Sequence, residues 1–340
     1  MEHPCVGKEP LAGIPCQRLC CIILKGGVKL EAIPIADGHC DFLYYMLHEG
    51  WDISRPASRQ AVSIPYMQAS NVALQFFAAW IDGDAKQNGL SQCLELIDAY
   101  WRMLEQNADR LTPLTPDFQP GQGKIATVLT IEGGEGIDGS LEALRMFYRL
   151  GVRAMTLTWN YSNCLASPAM RRANKGLTDL GRKVVREMHR LGIALDVSHL
   201  SDAGIDDVLA SAERPIFASH SNARSVCQHR RSLLDRHIRE IAQCGGVICV
   251  NFYPPQLSQF PSNACAQDVA RHAAYIASLV GAQHVALGSD FDGMWEYPQD
   301  IKTQEDLPNV LCALEKAGFS QQEIRSIAYN NLHDYILQFV

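Results

Sequence analysis

Histidines and carboxylates recur in this 340-residue chain directly after short runs of β-forming residues, and that placement is what could do chemistry. His39 and Asp41 lie in Asp37-Gly38-His39-Cys40-Asp41, where the alternation of an extended chain aims both at one face and turns Cys40 away. Glu132 follows an apolar run and precedes Gly133-Gly134, which allow the chain to turn close behind it. Two further runs finish in Ser-His, at His199 and His220, and a last one leads into Asp290-Phe291-Asp292-Gly293, with Asp290 at the rim. Any one of these fits a structural histidine or a solvated carboxylate; their recurrence at successive strand ends does not. Imidazoles mixed with carboxylates suit zinc or a similar divalent ion, whereas oxygens alone would suggest magnesium or calcium. The supply is enough for two ions, His39 and Asp41 holding one, His199 and His220 the other, and Glu132 bridging them. Asp290 is then free to orient and deprotonate a water between the metals, which is the arrangement of metal-assisted hydrolysis.

Such residues converge only if the strands that carry them share one mouth. From about residue 33 the sequence alternates β-like runs, at 33–38, 72–79, 125–131, 153–158, 194–198, 215–219, 247–252 and 285–289, with stretches of helical period. The helical stretches are 90–111, 140–150, 178–191, 202–211, 235–244, 266–280 and 303–317, and Gly151, Gly192, Gly245 and Gly281 stand where four of them should stop. Eight strands alternating with helices predict a (β/α)8 TIM-like barrel of the metal-dependent hydrolase type, closed by a C-terminal helix over 321–338. An open doubly wound sheet is the alternative, but neither GxGxxG nor GxxxxGK[ST] follows the first strand. The expected organisation is one catalytic barrel over 33–340, preceded by an arm over 1–32 of uncertain role.

Composition narrows the partners. With 30 Lys and Arg against 37 Asp and Glu, a net charge of −7 offers no basic face for nucleic acid. The longest apolar runs fall far short of the roughly 20 residues that a membrane helix needs. Twelve cysteines are scattered without a CxxC pair, so they read as free thiols in a reducing compartment. A small-molecule substrate is expected, with no nucleic acid and no membrane, and a homodimer is left open.

The runs DGHCD, TIEGG, DVSH, ASHSNARSV and GSDFDG, in this order, together with Asn251-Phe252-Tyr253 and Asn330-Asn331-Leu332, resemble the membrane (renal) dipeptidase family, peptidase family M19 of the amidohydrolase superfamily. The resemblance runs from about residue 35 to the C-terminus. It implies a zinc-dependent dipeptidase with two Zn2+ per chain. His39, Asp41 and Glu132 would hold one ion, Glu132, His199 and His220 the other, and Asp290 would handle the proton of the bridging hydroxide. It also implies an arginine that grips the substrate's terminal carboxylate, for which Arg231 is the match, and tolerance of a D-residue on the C-terminal side, so that an L-Xaa-D-Xaa dipeptide is an expected substrate. A guanidinium fork suits that role because it pairs bidentately with a carboxylate.

One position departs from the family. Where the eukaryotic members have histidine in a Leu-Thr-His context, this chain reads Leu157-Thr158-Trp159-Asn160, and an indole can donate one hydrogen bond but cannot take up a proton. Trp159, Asn160 or another group must then make that substrate contact, or Trp159 is an apolar wall, or the substrate is another amide, an N-acyl amino acid, a lactone or an ester. A non-catalytic metal-binding relative is the remaining alternative. With neither a signal peptide nor a lipid-anchor tail, the expectation is a soluble, microbial, cytoplasmic form.

Overall fold

A computed structural model describes residues 33–83 and 87–340; the expected arm over 1–32 lies outside the described residues. The strands are β1 (Ile35–Asp37), β2 (Val72–Trp80), β3 (Leu111–Pro113), β4 (Ile125–Glu132), β5 (Val152–Thr156), β6 (Ala194–Asp196), β7 (Ile248–Val250) and β8 (Val285–Leu287). They form one parallel sheet in the order β6-β5-β4-β2-β1-β8-β7, with β3 paired to β4. The stretch expected as a strand over 215–219 completes the ring without becoming one. Phe217 pairs with Asp196 and Ala218 with Ile248 as isolated bridges, joining β6 to β7 through hydrogen bonds such as Val197 N–H to Phe217 O and Cys249 N–H to Ala218 O. Eight parallel positions thus close into a barrel.

Strands walled by helices outside and by one another inside are buried on both faces, and every residue of β1, β4, β6, β7 and β8 is buried. Their alternation sorts two layers. Ala36, Phe76, Val128, Ala154, Ala194, Phe217 and Ala286 fill the barrel interior, where alanines make room for the two phenylalanine rings, 6.3 Å apart. Phe77, Leu129, Met155, Leu195 and Ile248 face the helices. At roughly 25 cal/mol per Å2 of apolar surface removed from water, each such side chain contributes about 1.5–3 kcal/mol.

Three features add to the expected elements or refine them. β3 was not foreseen: it pairs with the first half of the long β4, on the side that β5 takes over from Leu129 onward. The helices Phe42–Glu49 and Ile64–Ala69 between β1 and β2 were also missed, being short and flanked by irregular chain. The expected C-terminal helix is present as an unbroken helical run whose pitch changes along its length, through Gln321–Arg325, a π-helical turn Ser326–Asn330, Asn331–Ile336 and a final 3-10 turn. That run presents Tyr329, Leu332, Tyr335 and Ile336 to the barrel floor, with the Tyr335 hydroxyl donating to Pro215 O at 3.0 Å. No described helix is long and apolar enough to cross a membrane.

Local chemistry starts and stops the helices as the sequence implies. Ser140, Thr178 and Ser201 each accept a backbone N–H of the first turn of the helix they precede. Gly192 ends the Asp179–Leu191 helix at φ 80°, a left-handed conformation that glycine adopts without a Cβ clash.

Candidate metal centre

All six residues singled out for metal or proton chemistry meet at the C-terminal mouth of the barrel, delivered by five stretches of chain at or after strand ends. Glu132 is the last residue of β4; His39 and Asp41 follow β1, His199 follows β6, His220 follows the bridge at Ala218, and Asp290 follows β8. His39 Nε2 lies 3.2 Å from Glu132 Oε2, 3.7 Å from Asp41 Oδ1 and 4.0 Å from Asp290 Oδ1. Glu132 Oε1 lies 2.8 Å from His199 Nε2 and 3.6 Å from His220 Nε2, and those two nitrogens are 2.9 Å apart. Two compact groups result, His39–Glu132–His220 and His39–Asp41–Asp290, each with ligand atoms within 4.8 Å of one another. Cys40 points away, its thiol donating to Phe76 O at 3.3 Å.

The proton inventory shows what this cluster fits. Asn160 Oδ1, an acceptor, lies 3.1 Å from His199 Nδ1, so the proton of that ring sits on Nδ1 and the lone pair of Nε2 faces inward. His220 Nδ1 is likewise engaged by Ser219 Oγ at 2.7 Å. Burial pushes the pKa of His199 and of His220 well below the usual imidazole range, so both rings stay neutral. Burial works against charge on His39 too, but Glu132 and Asp41 outweigh it and push that pKa up. Burial pushes Glu132 up to about 7 and Asp290 up to about 6, each opposed by His39. Meanwhile His39 Nε2, Asp41 Oδ1 and Glu132 Oε2 are buried without a hydrogen-bond partner. Lone pairs of three imidazoles and three carboxylates converging in burial, with too few protons between them, are what a Lewis acid satisfies. A divalent cation fits the residues present.

The backbone holds this cluster under constraint. His199, Asp290 and Asp292 are non-glycine residues at φ 68°, 66° and 63°, a region such residues enter at a cost of roughly 1–3 kcal/mol. Gly293 follows because a Cβ there would collide with the carboxylate oxygens of Asp41 and Asp290.

Above the cluster opens a pocket of about 280 Å3. Arg231 and Asp290 line it on one side, Trp80, Trp159 and Asn160 on another. Arg231 is buried, a guanidinium nitrogen lying 3.5 Å from His220 O; burial lowers its pKa to about 10, against Asp290 and Glu132, so it remains cationic at neutral pH. The Trp159 indole packs edge-on against Trp80 at 4.9 Å and stands 6.3 Å from the His199 ring. Asn160, expected as a substrate contact, borders the pocket and also spends its carbonyl on His199.

Several residues that shape the site carried no assignment in the sequence. Asn251 donates to Asp290 Oδ2 at 3.0 Å. Asp37 accepts from the Ser289 backbone N–H at 2.7 Å and its hydroxyl at 2.6 Å, and Asp196 Oδ1 accepts the N–H groups of Ser198 and Ser219, both at 2.9 Å. A serine immediately before His199, His220 and Asp290 was the available signal.

Comparison with known proteins places this geometry. Residues 29–334 match the family model described as membrane dipeptidase, peptidase family M19. The chain is 32% identical over 338 residues to an uncharacterised dipeptidase of Schizosaccharomyces pombe, covering 91% of this chain and 81% of that protein. It is 31% identical over 316 residues to dipeptidase 3 of Rattus norvegicus, covering 89% of this chain and 64% of that protein. The solved structure of a metallopeptidase from Rhodobacter sphaeroides, bound to a phosphinate mimic of the dipeptide L-Ala-D-Ala, superposes with a TM-score of 0.83 at 26% identity, covering 91% of this chain and 99% of that one.

Proposed function

The chain belongs to the membrane dipeptidase family and is thereby a metallo-dipeptidase, and from that premise we propose that it hydrolyses free dipeptides, an L-residue followed by a D-residue among them, with two zinc ions held by the cluster. The observation that carries this reading is the convergence of His39, Asp41, Glu132, His199, His220 and Asp290 beneath a pocket that also exposes the buried cation Arg231. His39 and Asp41 would hold one ion and His199 and His220 the other, with Glu132, whose two oxygens face the two groups, shared between them. Bound there, such ions polarise a carbonyl and lower the pKa of water.

The rest is done by the chain's own groups. Arg231 pairs with the terminal carboxylate and sets the register of the peptide bond over the cluster. Asp290, anchored through Oδ2 by Asn251, presents Oδ1 toward His39, where it accepts the proton of the attacking water and returns it to the leaving amine nitrogen. Trp80 and Trp159 form an apolar wall that excludes bulk water from one flank. The tolerance for a D-residue is supported by the ligand of the Rhodobacter sphaeroides structure. One catalytic unit over 33–340 carries all of this.

The test is a screen of the zinc-loaded protein against L,D- and L,L-dipeptides, N-acyl amino acids and lactones. Dipeptides are expected to be cut, and chelation to abolish the activity until zinc is returned. Cleavage of N-acyl amino acids or lactones with dipeptides untouched would overturn the reading.

A further inference from the structure

Beside the catalytic pocket lies a second chamber of about 440 Å3, and the two share Tyr45, Asp292 and Trp295 as common walls. Its other principal walls are aromatic: Trp51, which stacks on Tyr45 at 4.5 Å and 16°, Tyr66 and Tyr297. These come from the chain after β1 and after β8, whereas Arg231 comes from the chain after the Phe217–Ala218 position, three strand positions from β1 and two from β8 round the barrel. A peptide whose carboxylate is held by Arg231 and whose scissile bond lies over the metal cluster therefore extends its N-terminal half toward the shared wall. The catalytic pocket, at about 280 Å3, lies at the small end of ligand sites and leaves little room for a second full-sized side chain.

We propose that this second chamber receives the side chain of the substrate's N-terminal residue and selects a planar aromatic one. The proposal rests on the dipeptidase reading above. Five ring-bearing walls, Tyr45, Trp51, Tyr66, Trp295 and Tyr297, favour offset or edge-on packing of another ring over an aliphatic side chain. The two cations at the chamber, Arg59 and Lys302, are exposed. Glu49 neutralises Arg59 at 2.7 Å, whereas the Lys302 ammonium donates to the neutral Tyr297 O at 3.1 Å and keeps its charge at the chamber, where it attracts the face of an aromatic ring and repels a lysine or arginine side chain. Trp295, 83% exposed although it borders both chambers, is the side chain free to cover the occupant.

The experiment compares kcat/KM of the zinc-loaded full chain on dipeptides that end in alanine, of whichever configuration it cleaves, and begin with Ala, Leu, Phe, Tyr or Lys. Phe and Tyr are expected about tenfold above Ala, and Lys below Ala. Ala57→Trp, which fills the chamber from its wall, should bring the Phe-to-Ala ratio close to one. Tyr66→Ala, which removes a ring from the same chamber, should lower that ratio severalfold, so the outcome does not depend on one variant folding. Equal values for Phe and Ala, or a ratio that survives both substitutions, overturn the subsite while cleavage of Ala-Ala keeps the peptidase reading; if no dipeptide is cut, both fall.

Discussion

The two halves of the metal cluster are built on one plan from different atoms. Around β1 and β8 stand His39, Asp41 and Asp290, and beneath them Asp37 grips Ser289, the residue before Asp290, across 252 positions of sequence. Around β6 and the Phe217–Ala218 position stand His199 and His220, and beneath them Asp196 grips Ser219, the residue before His220. In each half a buried aspartate at a strand end satisfies backbone N–H groups of the neighbouring strand end, so that the ligands on two strands move as one piece. The halves differ in charge. The first is rich in carboxylates, which hold the pKa of His39 up; the second presents neutral imidazoles whose pKa values burial holds down. The difference assigns labour: the neutral half can only donate lone pairs, whereas the anionic half contains the group, Asp290, that can take up a proton.

That division is most sharply broken at Asp290. Asp290→Asn should lower kcat by about 10²–10⁴-fold while both equivalents of zinc remain bound, measured by elemental analysis beside steady-state kinetics. Loss of metal together with activity would make Asp290 a ligand instead of a proton carrier. The paired aspartates come next. Asp37→Ala and Asp196→Ala each leave two buried donors without an acceptor, so each should cost about 2–5 kcal/mol in urea unfolding. If the halves are separate pieces, each variant weakens one zinc equivalent and spares the other; equal weakening of both by either variant would dissolve the comparison. The smallest effect is expected at Asn160, whose carbonyl orients His199. Asn160→Ala should weaken one zinc equivalent about 10–100-fold, read by competition with a chromogenic chelator, with KM for the dipeptide little changed. A change confined to KM would return Asn160 to the substrate.

Much of this site is legible in the chain because a barrel brings every strand end to one mouth. His39, Asp41, Glu132, His199, His220 and Asp290 each follow, or end, a run with strand character, and the fold class alone makes them neighbours. Asp37 and Asp196 stand in the same motifs, yet their function is invisible there, since what they hold is the backbone of another strand. The strand expected over 215–219 shows the limit from the other side. Its residues have strand character and complete the ring, but only Phe217 and Ala218 pair, because the chain turns away at Ser219 and His220 to serve the site.

The sequence by itself determined the alternation that makes a barrel, the donor types that suit a divalent ion, and the family to which the chain belongs, since each is written in local pattern and short motifs. Tertiary structure alone decided how those donors share protons. Whether an imidazole is neutral, which nitrogen faces inward and which carboxylate keeps a free oxygen depend on burial and on partners such as Asn160, Ser219 and Asn251, set by packing between strands far apart in the chain. The aromatic chamber beside the pocket is of the same kind. Tyr45, Trp51, Tyr66 and Tyr297 have no common motif, and they become one wall only where the chain after β1 meets the chain after β8.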